Sequence, residues 1–235
     1  EMVDYYIKKG LDINLKNGAG QTPLTLSVEN NEFKIFMSLI NAGADVNAKE
    51  NFFEWSPLHI AVMNGHKDMA EVLIDKKACI EAADRYGKTP IHYVKSKDMA
   101  EFLISKKADM AAKSKKGETI VHSAAAAGNT EALAYFIDKG FDINAQDMEG
   151  KTPFYNAILH KSKSAAKLLI EKGADVNAGE NALFTAIYSN DTESVSMLLE
   201  RGVKIDSVDK YKNGALHICE SIEMAGLLLK SGADI

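Results

Sequence analysis

The sequence predicts an all-α solenoid of stacked helix–turn–helix units with β-hairpin loops. Three observations predict it. A helix-exit signature recurs as Gly10-Leu11-Asp12-Ile13-Asn14, Gly43-Ala44-Asp45-Val46-Asn47, Gly140-Phe141-Asp142-Ile143-Asn144 and Gly173-Ala174-Asp175-Val176-Asn177, with exits roughly 30 to 34 residues apart. A helix-entry signature recurs in step: Thr22-Pro23-Leu24, Ser56-Pro57-Leu58-His59, Thr89-Pro90-Ile91-His92, Thr119-Ile120-Val121-His122, Thr152-Pro153-Phe154 and Gly214-Ala215-Leu216-His217. An apolar stripe stands at a fixed distance before each exit. Such a period marks units that bury their faces on neighbours rather than in a private core.

The stretch from Asp138 to Pro153 shows the logic of one junction. Gly140 follows a helical run, where a left-handed cap residue is expected. Gly150 reads as a turn, Thr152 as an N-cap and Pro153 as the first helical residue. Degraded exits follow the same register at Lys77, Lys107, Gly202 and Gly232. Core residues fall eight, seven, four and three places before each exit, one stripe of a helix. Before Gly43 these are Ile35, Phe36, Leu39 and Ile40; before Gly173 they are Ala165, Ala166, Leu169 and Ile170. Only Ser194, before Gly202, breaks the apolar pattern. In the first partial unit, Met2, Val3, Tyr6 and Ile7 take the core positions.

The first helix of each pair is short: Pro23 to Glu29, Pro57 to Asn64, Pro90 to Lys95, Ile120 to Ala127, Pro153 to His160, Ala182 to Ser189 and Ala215 to Glu220. About three residues are missing between the helices after Pro90 and again after Ala215, so both units should be thinner on one side. The loop before Ser56 is one residue longer than usual. The hairpin before Ala182, Asn177-Ala178-Gly179-Glu180-Asn181, is truncated and should leave a notch in the row of tips. Lys77 and Lys107 replace glycine where a left-handed backbone is expected, at a cost on the order of 1 kcal/mol each.

These entries, exits and spacings resemble the ankyrin repeat, and the resemblance covers essentially the whole chain. The tetratricopeptide repeat, of similar period, has neither the Thr-Pro-Leu-His entry nor a hairpin. The resemblance implies a curved solenoid whose hairpin tips and inner helices line a concave face. It also implies one domain over 1–235, with units near 1–16 (partial), 17–50, 51–83, 84–113, 114–146, 147–179, 180–208 and 209–235. Small residues on the first helices, Ala61, Ala124, Ala125, Ala157 and Ala186, fit the close stacking of that family. The residues begin inside a second helix and stop within an exit, with no polar cap at either end. This suggests a segment of a longer array.

Composition narrows the function. Net charge is −5, spread along the chain, which disfavours general nucleic-acid binding. No apolar run approaches the roughly 18 residues of a membrane span. Cys79 and Cys219 lie in distant repeats and read as reduced, partly buried thiols, which fits an intracellular setting. Asn190-Asp191-Thr192 is a lone glycosylation sequon, weak evidence of secretion.

Little in the chain reads as chemistry. His59, His92, His122 and His217 share one repeat position, which the resemblance assigns to hydrogen bonds between neighbouring repeats rather than to metal or catalysis. His66 belongs to a Gly-His turn, and His160 is expected to be exposed. Asp45, Asp142 and Asp175 recur at one hairpin position and read as geometry. No zinc spacing, phosphate loop or nucleophile–base pair is present, so no cofactor, metal or catalytic residue is expected. The resemblance also marks Asn47, Asn144 and Asn177 as positions where asparaginyl hydroxylases of animal cells act on such repeats.

Binding is the expected function, and three patches are candidates. The first joins Phe52, Phe53 and Trp55 on one hairpin to Arg85 and Tyr86 on the next and to Met63 on the helix behind. Aromatics and arginine dominate interface hot spots. The alternative is that Phe52 or Phe53 folds onto Trp55 to pack the longer loop. The second is basic: Lys106, Lys107, Lys113, Lys115 and Lys116, suited to an acidic partner or anionic headgroup, or simply a solvated charge run. The third is Tyr155, Leu159 and Tyr188 beside the short hairpin. The expected function is a non-catalytic protein–protein interaction module, monomeric as a segment, with a protein partner. The alternative is a structural or spacer segment of a larger channel, toxin or cytoskeleton-associated protein. An accessory domain of an enzyme is the third possibility.

Overall fold

The computed structural model describes residues 5, 9–209 and 211–234. Met2, Val3, Tyr6 and Ile7 lie outside the described residues. The chain forms two compact units, Glu1–Lys116 and Gly117–Ile235. Unit 1 holds α1 (Pro23–Glu29), α2 (Phe33–Asn41), α3 (Pro57–Asn64), α4 (Lys67–Asp75), a 3₁₀ turn (Pro90–Tyr93) and α5 (Lys97–Ser105). Unit 2 holds α6 (Ile120–Ala127), α7 (Thr130–Asp138), α8 (Pro153–Leu159), α9 (Lys163–Glu171), α10 (Ala182–Tyr188), α11 (Thr192–Glu200), a 3₁₀ turn (Ala215–His217) and α12 (Ile222–Lys230). No strand is present among the described residues.

Within each unit, helices pack on their neighbours. In unit 1, α1 packs on α2 and α3, and α3 on α4 and on the 3₁₀ turn. In unit 2, α8 packs on α6, α9 and α10. The first helices start where the sequence places a cap. Thr22 Oγ1 accepts from Thr25 N at 3.2 Å, Thr152 Oγ1 from Tyr155 N at 3.2 Å, and Asn181 Oδ1 from Leu183 N at 2.9 Å. Each satisfies one of the donors that a helix start leaves without an internal partner.

The two shortened units depart from expectation. Where first helices were expected from Pro90 to Lys95 and from Ala215 to Glu220, only 3₁₀ turns form. With about three residues missing, too few remain for an α-turn before the chain must reverse, and the tighter i→i+3 closure fits instead. His92 N donating to Thr89 O and His217 N donating to Gly214 O are those closures.

The apolar stripe is graded. At about 100° per residue, the places four and seven before the exit sit at its centre, and the places eight and three at its edges. Leu39, Leu73, Leu103, Phe136, Leu169, Leu198 and Leu228, all four before an exit, are buried. Of the places three before, Ile74, Ile104, Ile137 and Leu199 are half-buried and Leu229 is exposed, while Ile40 and Ile170 are buried; of the places eight before, Ile35 is exposed and Met69, Met99, Ala132, Ala165 and Met224 are buried. Ser194 is buried without loss, because its Oγ donates to Asp191 Oδ2 at 2.7 Å and its N donates to Oδ1.

The exits close as expected. Lys77 and Lys107 take φ of 70° and 69°. Around the first, Ala78 N donates to Leu73 O at 2.9 Å and Lys77 N to Ile74 O at 2.9 Å, which satisfies carbonyls that the helix end exposes. Glycine at Lys77 removes the left-handed penalty and keeps both bonds. Lys77→Gly is therefore expected to stabilise by about 1 kcal/mol, read as a melting temperature a few degrees higher. An unchanged melting temperature would show that the lysine stem contributes packing of equal size.

Candidate functional site

The hairpins are a polar framework before they are a surface. Five aspartates two places after an exit close their own turns: Asp12, Asp45, Asp109, Asp142 and Asp175 each accept from the backbone N two residues on, at 2.8 to 2.9 Å. The asparagine of the motif reaches the next repeat. Asn14, Asn47, Asn144 and Asn177 Oδ1 accept from Asp45, Cys79, Asp175 and Lys204 N at 2.8 to 2.9 Å. The recurring aspartates are thus geometric, as expected.

A second acidic position shapes the tips. Asp84 Oδ1 accepts from Tyr86 and Lys88 N, and Asp147 Oδ1 from Glu149 and Lys151 N. Glu50 holds this place in the hairpin that is longer by one residue. Its Oε2 accepts from Phe52 N at 2.6 Å, and its Oε1 from Phe53 N at 2.6 Å and Trp55 N at 3.1 Å. The extra methylene lets one buried carboxylate, 7% exposed, gather three amides of the longer loop. Sequence reasoning passed over Glu50. Its signal was the coincidence of the longer acid with the longer loop.

Glu50 thereby sets the aromatic tip. Phe53 stacks on Trp55, with centroids 4.4 Å apart and planes 19° apart, and lies 6.4 Å from Tyr86. The packing alternative holds for Phe53. Phe53 does fold onto Trp55, yet it stays 39% exposed, with Phe52 at 60% and Tyr86 at 51%. Trp55 meets Tyr93 edge-on at 5.9 Å, and its Nε1 donates to Tyr93 Oη at 3.3 Å. Tyr93 Oη donates in turn to Asp84 Oδ2. Burial, reinforced by Asp84, pushes the Tyr93 phenol above its ordinary range. Neither Tyr93 nor Asp84 was expected at the site; both reach it only through the fold. Arg85 Nη2 donates to Asn51 O at 3.1 Å, tying neighbouring tips together. Met63 is half-buried and lines a cleft of about 240 Å³ together with Phe52, Phe53 and Trp55.

Glu50→Ala should leave the three amides without their acceptor. A loss of about 2 kcal/mol is expected, with Trp55 emission shifted to the red and more open to acrylamide quenching. Unchanged emission would show that ring stacking alone holds the loop.

The basic candidates are less free than their sequence suggests. The Lys106 ammonium lies 3.1 Å from Glu71 and 3.4 Å from Asp75, with the Phe102 ring at 5.7 Å. Lys115 Nζ donates to Arg85 O at 2.7 Å. Lys107 sits at a helix exit, and Lys113 and Lys116 are exposed on the hairpin. In the third patch, Leu159 and Tyr188 are exposed and Tyr155 is half-buried, and Tyr188 donates to Asp209. The notch expected at the short hairpin is present as a cleft of about 450 Å³ lined by Glu149, Tyr155, Glu180, Tyr188 and Asp209.

The shared histidine position divides. His59, His92 and His122 are buried. Ser56 N donates to His59 Nδ1 at 3.1 Å, and His59 Nε2 lies 3.2 Å from Lys88 O in the next hairpin. His122 repeats this with Thr119 and Lys151. His217, expected alike, is exposed instead. Gly214 replaces the Ser or Thr of the other entries and has no hydroxyl to complete the cap. Cys79 is also exposed rather than partly buried, and both cysteines are free.

Stacked short helix pairs, tied by hairpins whose acids and amides serve backbone geometry, define a repeat scaffold. The chain belongs to the ankyrin-repeat family: a model of that family described as "Ankyrin repeats (3 copies)" matches residues 1–84, 34–114 and 94–180. It is 32% identical over 95 residues to the putative ankyrin repeat protein FPV216 of fowlpox virus, covering 39% of this chain and 32% of that one. It is 33% identical over 98 residues to human transient receptor potential cation channel subfamily A member 1, covering 40% of this chain and 9% of that one. The chain thus matches a third or less of the length of these relatives. The human ASB11 ankyrin repeat domain superposes with a TM-score of 0.77 at 21% identity, covering 92% of this chain and all of that one. Ankyrin repeats generally mediate protein–protein interaction, and the fold is typically non-catalytic. No helix among the described residues is long and apolar enough to cross a membrane.

Proposed function

We propose that this chain is a non-catalytic interaction module whose protein partner docks on Phe52, Phe53, Trp55, Met63, Arg85 and Tyr86. The observation that carries this reading is the set of exposed rings at Phe52, Phe53 and Tyr86 on a loop fixed by Glu50. Solvated aromatic clusters are unfavourable unless something covers them. Rings already ordered lose little entropy on binding. An intracellular setting fits the free thiols of Cys79 and Cys219.

The test is affinity capture with the parent and with a Phe52→Ser, Phe53→Ser, Tyr86→Ser triple variant. Trp55 is kept because it supports Tyr93. Equal melting temperatures must first establish that both are folded. A partner held by the parent and lost by the variant supports the reading. A partner held by both removes the aromatic tip, and none for either favours a spacer.

A further inference from the structure

The cleft beside the aromatic tip is one-sided in charge. Glu29 and Glu50 line it with Phe52, Phe53, Trp55 and Met63, and among the described residues no basic side chain does. Gln21 Nε2 donates to Glu29 Oε2 at 2.8 Å, holding that carboxylate at the wall. Two helix ends add to the field. Glu29 is the last residue of α1, and Met63 lies in the last turn of α3, so both C-terminal, negative dipole ends meet the cleft. Neither last turn carries a basic residue to offset them. A cation entering here gains from two carboxylates, two helix ends and aromatic faces together.

We infer, building on the docking surface proposed above, that the partner inserts an arginine side chain into this cleft. A planar guanidinium stacks on aromatic rings and presents paired donors to a carboxylate, whereas a lysine ammonium offers a point charge without the flat face. A neutral apolar side chain would gain the rings but leave the acidic wall unanswered. An acidic side chain would meet repulsion.

Trp55 is the only tryptophan, so its emission reports on the cleft directly. The probe is a displayed library of random dodecapeptides selected on the folded chain. Enriched peptides are then synthesised with arginine and with citrulline, its uncharged near-isostere, at the same place. The expected result is enrichment of arginine, a saturable change in Trp55 emission, and binding roughly tenfold weaker with citrulline. Glu29→Gln, an exposed position, should weaken the arginine peptide roughly fivefold and leave the citrulline peptide unchanged. Raised salt should weaken only the arginine peptide. Peptides lost by the triple serine variant but indifferent to citrulline would overturn the arginine reading and keep the docking surface. Peptides indifferent to both changes would overturn both readings, as would a library that yields no binder.

Discussion

Gly179→Ala is expected to destabilise the chain by about 3 kcal/mol, whereas Gly173→Ala should cost only about 1 kcal/mol. Both glycines have left-handed backbones, with φ of 67° and 89°. An alanine at either position therefore carries a similar conformational penalty. They differ in surroundings. A Cβ on Gly173 meets nothing within 4 Å, while one on Gly179 would lie 2.1 Å from the Gly150 carbonyl oxygen. That oxygen belongs to the preceding hairpin and accepts from Glu180 N at 2.9 Å. Alanine must push the two tips apart and lose this bond. The measurement is the melting temperature of both variants, with hydrogen exchange at the amides of α8 and α10 to localise the effect, since repeats need not unfold as one. A larger drop for Gly179→Ala by several degrees is expected. Equal drops would mean that the short hairpin yields freely and that the tips are not tightly stacked.

The same comparison explains what the sequence could and could not reveal. Period, caps and exits are local signals, repeated in every unit, so errors in one copy are corrected by the others. The left-handed lysines and the notch at the short hairpin were legible for that reason. The collapse of Pro90–Tyr93 and Ala215–His217 to 3₁₀ turns was legible only as missing length, because a deletion does not say how the chain closes. The rings of the site were legible by composition, but their support was not. Glu50 acts within its own loop, marked only by a longer acid in a longer hairpin, and Tyr93, held by Asp84, reaches Trp55 across neighbouring repeats, which no single copy of the motif displays. His217 shows the converse error: a shared position was read as a shared environment, although Gly214 had already removed its hydrogen-bond partner.

Acidification should destabilise the chain between about pH 6.5 and pH 4, and His59 should dominate the loss. Burial, only partly offset by the Lys88 carbonyl and Asp84, lowers the His59 pKa from its ordinary 6.5 to about 4. The hydrogen bonds give a second reason. Ser56 N can only donate, so Nδ1 must accept and the ring proton must sit on Nε2, facing Lys88 O. A second proton would have to enter where an N–H already points. The folded state thus keeps His59 neutral, while the unfolded chain protonates it near pH 6.5. The unfolded state binds more protons in this window, so stability falls as pH falls. The contribution is complete above about pH 6.5 and gone below about pH 4. A gap of about 2.5 pH units at about 1.36 kcal/mol each is on the order of 3 kcal/mol. Burial lowers the His122 and His66 pKa values in the same direction, so the parent slope holds all three contributions. His59→Asn isolates the first. Asparagine lacks the reach to Lys88 O, so the variant should be weaker at pH 7.5, yet its urea midpoint should change less than the parent's between pH 7.5 and pH 4.5. Equal slopes, or a native His59 resonance titrating near pH 6.5, would sink the assignment. Lys88 follows the tip that carries Arg85 and Tyr86, and Asp84 holds that tip from within. Loss of the His59 bond should therefore loosen the hairpin of Arg85 and Tyr86 first, with its amides exchanging faster at falling pH before the helices melt.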